Sequence, residues 1–160
     1  MYVGFLEDGV YRTADGGQNW RALEEDYFKY LRDNDKQTRG ARIFRELVFV
    51  PNQRDTFLFA SDFGLLKGVN GGQSWQEVLT LIPPINAQYR VKSKIKSLVI
   101  NQENQQQIYY GTEANLHRSF DGGKTWLTSA LPSDRIANQL VIDWQNDNIL
   151  YMGLGGIIKP

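Results

Sequence analysis

A short motif recurs three times along the chain, and this repetition constrains the fold more than any other feature of the sequence. Each copy reads Asp or Asn, two glycines, any residue, then Ser, Thr or Asn, and finally Trp. The residues that define the three copies are Asp15, Gly16, Gly17 and Trp20, then Asn70, Gly71, Gly72 and Trp75, then Asp121, Gly122, Gly123 and Trp126. A spacing of about 50 residues is typical of architectures built from one supersecondary unit per repeat.

The residues around each motif repeat as well. Three positions before the acidic or amide residue the chain carries a cation: Arg12, Lys67 and Arg118. Further upstream, a β-rich run ends in a small residue: Gly4, Ala60 and Gly111. Another apolar run opens a unit at Leu47, Leu98 and Leu140. Each unit therefore reads as four short strands joined by turns, which predicts a blade of a β-propeller.

We predict an all-β chain whose blades each contain four antiparallel strands, A to D, with about 14 strands in an incomplete ring. The predicted blades are residues 1–23 (strands B to D), 43–80, 95–129 and 136–160 (strands A to C), with insertions at 22–42 and 80–94. Closed propellers contain about 4–8 blades, so 160 residues are too few for one ring. The chain is then a piece of a larger propeller, a self-assembling partial propeller or an open array.

The chemistry of the motif indicates a turn. Asp or Asn can accept backbone N–H bonds, the glycines allow positive φ, and the Ser or Thr hydroxyl can bond within the same turn. We expect Asn70 to replace Asp because its amide oxygen is also an acceptor. The Trp that follows can bury its ring between blades. We therefore interpret the three motifs as structural.

The third copy, Ser119-Phe120-Asp121-Gly122-Gly123-Lys124-Thr125-Trp126, resembles the Asp-box of the bacterial-neuraminidase-repeat (BNR) superfamily. That superfamily includes sialidases, xyloglucan-cleaving glycosidases, sortilin-type receptors and photosystem II assembly factors, and the double glycine is more similar to the last three groups. The resemblance implies a β-propeller over nearly the whole chain. It does not imply one activity, because a fold hosts many functions.

Composition excludes several classes of function. Equal numbers of basic and acidic residues, 18 each, argue against a nucleic-acid partner, which would need a basic field. The chain has no Cys, no signal peptide and no apolar stretch long enough to span a membrane, so a complete chain would be cytoplasmic. The lone histidine, His117, is interpreted as packing in a strand. Asp33-Asn34-Asp35 lacks the later Gly and Glu of a calcium loop, and we assign no metal and no cofactor.

No catalytic residue is assigned from the sequence. Glycoside hydrolysis needs two carboxylates across a cleft. The acidic residues that could supply them lie in the first insertion: Glu24, Glu25, Asp26, Asp33 and Asp35. Their density also fits a solvated helix. The string Phe44-Arg45-Glu46-Leu47 lacks the proline of the sialidase arginine motif and is interpreted as the start of a strand A.

The two insertions are the predicted binding face. Connections from strand D to the next strand A open on the face opposite the Gly-Gly turns, and long loops on a rigid scaffold often carry function. The first insertion, with a helix expected within Glu24–Lys36, offers Tyr27, Tyr30 and Arg32, and the second offers Tyr89, Arg90 and Lys92. Tyr and Arg are common in binding hot spots. With Lys94 and Lys96, the last two place four cations on one side of a strand, which can instead keep a sheet edge soluble.

The sequence favours a non-enzymatic interaction module that binds a protein or peptide through this face. The alternative is a fragment of a BNR-type glycoside hydrolase that acts on polysaccharide, with its catalytic carboxylates mostly outside the chain. Carbohydrate remains a candidate ligand under either interpretation. A third interpretation is a homo-oligomer that completes the propeller, because sheet edges at both ends of the chain need partners.

Overall fold

The computed structural model describes residues 1–6, 8–36, 38, 40–78 and 94–156. In this part of the chain nearly all regular structure is β. The elements are β1 (Tyr2–Phe5), β2 (Gly9–Arg12), β3 (Arg21–Ala22), α1 (Glu24–Asp33), β4 (Phe44–Phe49), β5 (Phe57–Ser61), β6 (Leu65–Val69), β7 (Ser74–Val78), β8 (Ser97–Ile100), β9 (Ile108–Gly111), β10 (Asn115–Ser119), β11 (Leu127–Ala130), β12 (Ile136–Ile142) and β13 (Leu150–Gly155).

The strands form four antiparallel sheets that follow one another in chain order. The first is β1-β2-β3, the second β4-β5-β6-β7, the third β8-β9-β10-β11 and the fourth β12-β13. Neighbouring strands are consecutive in sequence, as in a meander. This arrangement confirms the predicted fold class, an incomplete ring of four-stranded antiparallel sheets. The strand expected at Ile157-Ile158 lies outside the described residues.

The second sheet shows how the sheets pack. Every residue of β5 is buried, because this strand is covered on both faces. Phe57 and Phe59 belong to a cluster shared with the first sheet and α1, whereas Leu58 and Ala60 belong to a cluster shared with the third sheet. Burial of one such large apolar side chain contributes about 1.5–3 kcal/mol. A strand buried on both faces thus reads as an uninterrupted apolar run in the sequence.

The first insertion contains the helix that the sequence predicts. Three acidic residues occupy its first turn, where they favour the positive end of the helix dipole. Tyr27 and Leu31, four residues apart, are fully buried on its inner side. The helix ends before Asp35, whose φ of 54° is left-handed. The described residues include no helix with the length and apolarity needed to cross a membrane.

Candidate functional site

The helix-bearing face is the candidate site. We use this name for α1 together with Arg45, Glu46, Asp62, Lys94, Lys96 and Glu113. Arg45 and Glu46 are the second and third residues of β4. Asp62 and Glu113 lie in the turns that join the second and third strands of their sheets. Lys94 and Lys96 precede β8. Strand direction in an up-and-down sheet places all of these positions at the end opposite the Gly-Gly turns.

Asp62 is the centre of an ion-pair cluster on this face. Its side chain is only 4% exposed, Arg45 Nε donates to Oδ1 at 2.7 Å, and Lys94 Nζ lies 2.5 Å from Oδ2. Burial acts to raise the pKa of Asp62, but the hydrogen bond from Arg45 and the ion pair with Lys94 outweigh it and hold the pKa below its ordinary value. Asp62 is therefore an ionised carboxylate whose charge is balanced by two cations, and its ion pairs link the second sheet to the segment that leads into the third.

The lysines before β8 do not form the expected row of free cations. Lys94 pairs with Asp62, and Lys96 Nζ lies 2.9 Å from Glu113 Oε1 in a pair whose side chains are both largely buried. Both lysines precede β8, which begins at Ser97, so they do not alternate along a strand. Their charges are compensated locally and contribute little to an anion-binding field.

Glu46 differs from the other carboxylates of this face. It is half-buried, and within the described residues its side chain has no hydrogen bond and no ion pair. Burial alone raises the pKa of its carboxyl group. Glu46 lies opposite Ala60 on β5, the register position that Ser97 occupies opposite Gly111 in the third sheet. There the Ser97 hydroxyl donates to Ala137 O at 2.8 Å and connects the third sheet to the fourth. The second sheet has the carboxyl group of Glu46 at the equivalent position.

The residues predicted to bind a partner have different environments. Tyr27 is 0% exposed and packs edge-to-face on Trp75 with ring centroids 5.3 Å apart, and burial raises its pKa strongly. A side chain with no exposed surface cannot contact a partner, so Tyr27 is part of the core. Tyr30 is half-buried, and its hydroxyl accepts a bond from Glu77 N at 2.9 Å. Arg32 is exposed and has no ion pair among the described residues.

The remaining predicted binding residues, Tyr89, Arg90 and Lys92, lie outside the described residues. The acidic residues of the first insertion are mostly paired. Glu24 bonds to Arg42, Asp26 bonds to Arg21, and Lys29 Nζ lies 2.5 Å from Asp33 Oδ2. The guanidinium of Arg42 also lies 5.4 Å from the Phe28 ring centroid. These contacts make the acidic stretch a solvated, cross-linked helix surface.

The three Gly-Gly turns lie at the other end of the sheets. In turn 3 (119–126), Gly123 N donates to Ser119 Oγ at 2.8 Å, and Asp121 accepts the N–H groups of Lys124 and Thr125. The hydroxyl and N–H of Thr125 hold the pKa of Asp121 down at about 2. Turn 1 (13–20) repeats this geometry. There Gly17 N donates to Thr13 Oγ1, and the bonds from Asn19 keep the pKa of Asp15 well below its ordinary value.

Turn 2 (68–75) is built differently. Asn70 adopts a left-handed φ of 53°, and its side chain makes no hydrogen bond within the described residues. The expectation that Asn70 replaces Asp as an acceptor is therefore wrong. The hydroxyl position of the other turns is Gly68 here, and a Cβ at Gly68 would lie 2.6 Å from Phe57 Cζ. Gly72 N donates to Val69 O instead.

His117, the single histidine of the chain, lies in a packed environment. The His117 ring stacks on Tyr110 with centroids 4.3 Å apart, and Nδ1 lies 2.9 Å from Thr128 Oγ1. Burial lowers the pKa of His117 to about 4, so the ring is neutral near pH 7. In the described ranges, no three His, Cys, Asp or Glu side chains are grouped closely enough to hold a metal ion.

Comparisons with known proteins identify the fold. The structure is similar to an ancestral GH74 enzyme (TM-score 0.64, 18% identity) over 95% of this chain and 20% of that one. It is similar to the GH74 enzyme of Niastella koreensis (TM-score 0.62, 20% identity) over 91% of this chain and 22% of that one. It also matches the extracellular domain of BT4673 from B. thetaiotaomicron (TM-score 0.62, 14% identity) over 96% of this chain and 18% of that one.

The protein class defined by these matches is the propeller-type fold. Identities at this level show the fold alone, and the chain spans about a fifth of the length of each of these proteins. No protein-family model matches the sequence. A search of curated proteins finds no match either.

Proposed function

We propose that this chain is a non-enzymatic section of a β-propeller that binds a protein or peptide through the helix-bearing face. The observation that carries the proposal is the rigid attachment of α1 to the sheets. Leu23, Tyr27 and Leu31 are each 0% exposed, and the Tyr30 hydroxyl and Lys36 both bind Glu77. A helix held in this way loses little conformational entropy when a partner binds.

The outer side of α1 supplies contact groups. Glu25, Lys29 and Arg32 are exposed, and the half-buried Phe28 lies under Arg42. Arg is enriched in binding hot spots because it combines a planar ion-pairing group with apolar surface. A partner with an acidic and aromatic surface would complement this combination.

The charges of the face favour binding over catalysis. Asp62 and Glu113 are both paired with cations. The pKa of Asp62 is held low, which makes this carboxylate a poor proton donor near pH 7. Among the described carboxyl groups of this face, Glu46 is the one whose pKa burial raises. A two-carboxylate hydrolysis mechanism needs a second acid aimed at the same bond.

We further propose that the chain belongs to the BNR/Asp-box repeat superfamily. The hydroxyl-to-glycine and Asp-to-backbone bonds of turns 1 and 3 support this assignment, because they give each residue of the motif a defined role in the turn. The divergent turn 2 retains the Trp indole bond to a glycine carbonyl, at 2.8 Å from Trp75 Nε1 to Gly72 O.

A quantitative capture experiment tests the binding proposal. The immobilised wild-type chain is compared with Arg32→Glu on α1 and with the matched control Lys124→Glu, an exposed cation at turn 3. Captured proteins are measured by mass spectrometry, and circular dichroism establishes that the variants fold. We expect a partner retained by wild type and Lys124→Glu to fall about tenfold or more with Arg32→Glu. Equal capture by all three chains would contradict the proposed surface.

A second candidate function is a section of a glycoside hydrolase that acts on polysaccharide. Glu46 favours it, because an unpaired, half-buried carboxyl with a raised pKa has the property of a general acid. Two structural neighbours are described as GH74 enzymes. The test is hydrolysis of a polysaccharide panel by the longest natural polypeptide that contains this chain, with Glu46→Gln and Glu103→Gln compared. Loss of activity only with Glu46→Gln would support this function, and absence of hydrolysis would exclude it for that panel.

A further inference from the structure

Internal sheet junctions follow one pattern. The second and third sheets use the same three register positions to contact the structure that precedes them in the chain. These positions are Phe59, Leu66 and Trp75 in the second sheet, and Tyr110, His117 and Trp126 in the third. Residues of α1 and its surroundings cover the first set. The ring centroids of Tyr27 and Phe59, for example, are 5.3 Å apart. The second set is covered by the second sheet, whose Leu58 and Val78 pack in the same cluster as Tyr110.

The equivalent positions of the first sheet are Val3, Tyr11 and Trp20, and no sheet in the described part of the chain covers them. Together with Phe5 they line an apolar pocket of about 320 Å³, which we name the leading face. Phe5 is 51% exposed and Trp20 is 41% exposed, whereas the equivalent Trp75 is 5% exposed. The leading face thus has the composition of a sheet interface without its cover.

The second glycine of each turn gives an independent indication. A Cβ at Gly72 would lie 2.8 Å from Leu23, and one at Gly123 would lie 2.6 Å from Val78, in each case a residue of the preceding sheet or its end. A Cβ at Gly17 would meet only Met1 and Trp20 of its own sheet, at 3.6 Å and 3.8 Å. Turn 1 therefore carries a glycine that the other turns use for close approach of a preceding sheet.

The opposite end of the chain carries the complementary surface. In the second sheet, Val48 and Leu58 are a cross-strand pair among the side chains that pack toward the third sheet. The residues at the same register in the fourth sheet are Val141 and Tyr151, which are paired across β12 and β13. They are 47% and 55% exposed. We name these two residues the trailing face.

We propose that the leading face of one chain binds the trailing face of a second copy, head to tail. The chain already packs this kind of pair at its internal junctions, and both halves of the pair are present and exposed on each copy. Face-to-face packing needs no exchange of strands between chains. Two copies would bring eight sheets into one ring, which is within the size range of closed propellers. Contacts of this heterologous type close into rings when the rotation fits.

Single-face variants test the contact. Trp20→Glu changes the leading face, Tyr151→Glu changes the trailing face, and Phe120→Glu is the control, since Phe120 is 51% exposed at turn 3 and belongs to neither face. Sedimentation velocity over a dilution series measures the mass of each. We expect wild type and Phe120→Glu to associate. The dissociation constants of the other two should rise by on the order of 30-fold or more.

A mixing experiment decides whether the contact is head to tail. Trp20→Glu keeps an intact trailing face and Tyr151→Glu keeps an intact leading face, so a mixture has one intact junction. The mixture should form a one-to-one dimer that is tighter than the self-association of either variant and weaker than the wild-type ring with its two junctions. A symmetric contact between two leading faces would instead let Tyr151→Glu dimerise alone. That result, or a wild-type chain that stays monomeric throughout the series, overturns the proposal. Val3→Glu replaces Trp20→Glu if circular dichroism shows that Trp20→Glu is unfolded.

Discussion

Turn 3 and turn 2 share two glycines and a Trp, yet different hydrogen bonds close them. In turn 3 the Ser119 hydroxyl and the Asp121 carboxylate accept the backbone N–H groups. In turn 2 a backbone carbonyl, Val69 O, accepts from Gly72 N, and Asn70 takes a left-handed conformation. The difference originates one strand away, where the Phe57 ring occupies the space that a Cβ at position 68 would need.

The glycines and the Trp are the part of the motif that both turns keep. They allow the sheets to approach, whereas the hydroxyl and carboxylate are one of two ways to satisfy the N–H groups of the turn. Four predictions test how far the turns differ, in decreasing order of the stability change that we expect.

We expect the largest difference in stability between turn 2 and turn 1 when the Trp of each is replaced. Trp75 is 5% exposed and Trp20 is 41% exposed. We expect Trp75→Ala to lower the free energy of unfolding by about 3–5 kcal/mol because it leaves a cavity between two sheets. We expect Trp20→Ala to lower it by about 1 kcal/mol or less. Urea unfolding at a concentration that keeps the chain monomeric measures both. Equal losses would refute the assignment of Trp20 to an uncovered face.

We expect the next largest difference in stability when one glycine of turn 3 and one of turn 1 are replaced by Ala. Gly16 and Gly123 both have positive φ, but a Cβ at Gly16 meets nothing within 4 Å, whereas one at Gly123 lies 2.6 Å from Val78. We expect Gly16→Ala to lower the unfolding free energy by about 1–2 kcal/mol from the backbone conformation alone. Gly123→Ala should add about 1–3 kcal/mol from overpacking. Thermal unfolding of both variants measures the difference, and a smaller loss for Gly123→Ala would count against close sheet approach.

A double-mutant cycle tests the cause of the divergence in turn 2. Ser119→Ala should lower the unfolding free energy by about 1–2 kcal/mol, because the Gly123 N–H loses its acceptor. Gly68→Ser should not supply an equivalent bond while Phe57 is present. The double variant Gly68→Ser with Phe57→Ile should lose about 1 kcal/mol less unfolding free energy than the sum of the losses of the two single variants. Strict additivity would show that Phe57 does not determine the turn.

The smallest effect is the pH dependence of the Asp turns. Asp121 has a pKa of about 2 against an ordinary value of 3.8, so its contribution is complete above pH 3.8 and is lost as the pH falls toward 2. Asp15 acts in the same direction. The pKa of His117 is lowered from 6.5 to about 4, so between these pH values the unfolded chain binds a proton that the folded chain does not. His117 therefore lowers the stability of the fold as the pH falls from 6.5 to 4, a higher range than that of the two Asp residues.

Melting temperature as a function of pH separates the two windows. The variant Asp15→Asn with Asp121→Asn should flatten the curve below pH 3.8 and leave the slope above pH 4 unchanged. Turn 2 has no carboxylate to titrate, so Asn70→Ala should shift the whole curve without changing its shape. An unchanged acid limb in the double variant would contradict the role assigned to the two carboxylates.

Much of the fold is readable from the sequence because the repeat gives the same information three times. Short β-branched and aromatic runs between Gly, Asn and Asp predicted the strands, and the spacing of Tyr27, Phe28 and Leu31 predicted a helix in the first insertion. The candidate site was harder to predict. Tyr27 looked like a binding residue because Tyr is common in interfaces, and its burial against Trp75 depends on a residue 48 positions away. The pairing of Lys94 with Asp62 likewise joins two sheets, and no local pattern encodes it.

The sequence encodes the class of fold and the positions of the turns, because these follow from the repeated apolar runs and from the turn preferences of Gly, Asp and Asn. Tertiary contacts set which motif uses its acceptors, which cations form ion pairs and which Trp is buried. Those outcomes depend on side chains that meet across sheet junctions, where a neighbour such as Phe57 changes what a nearby position can do.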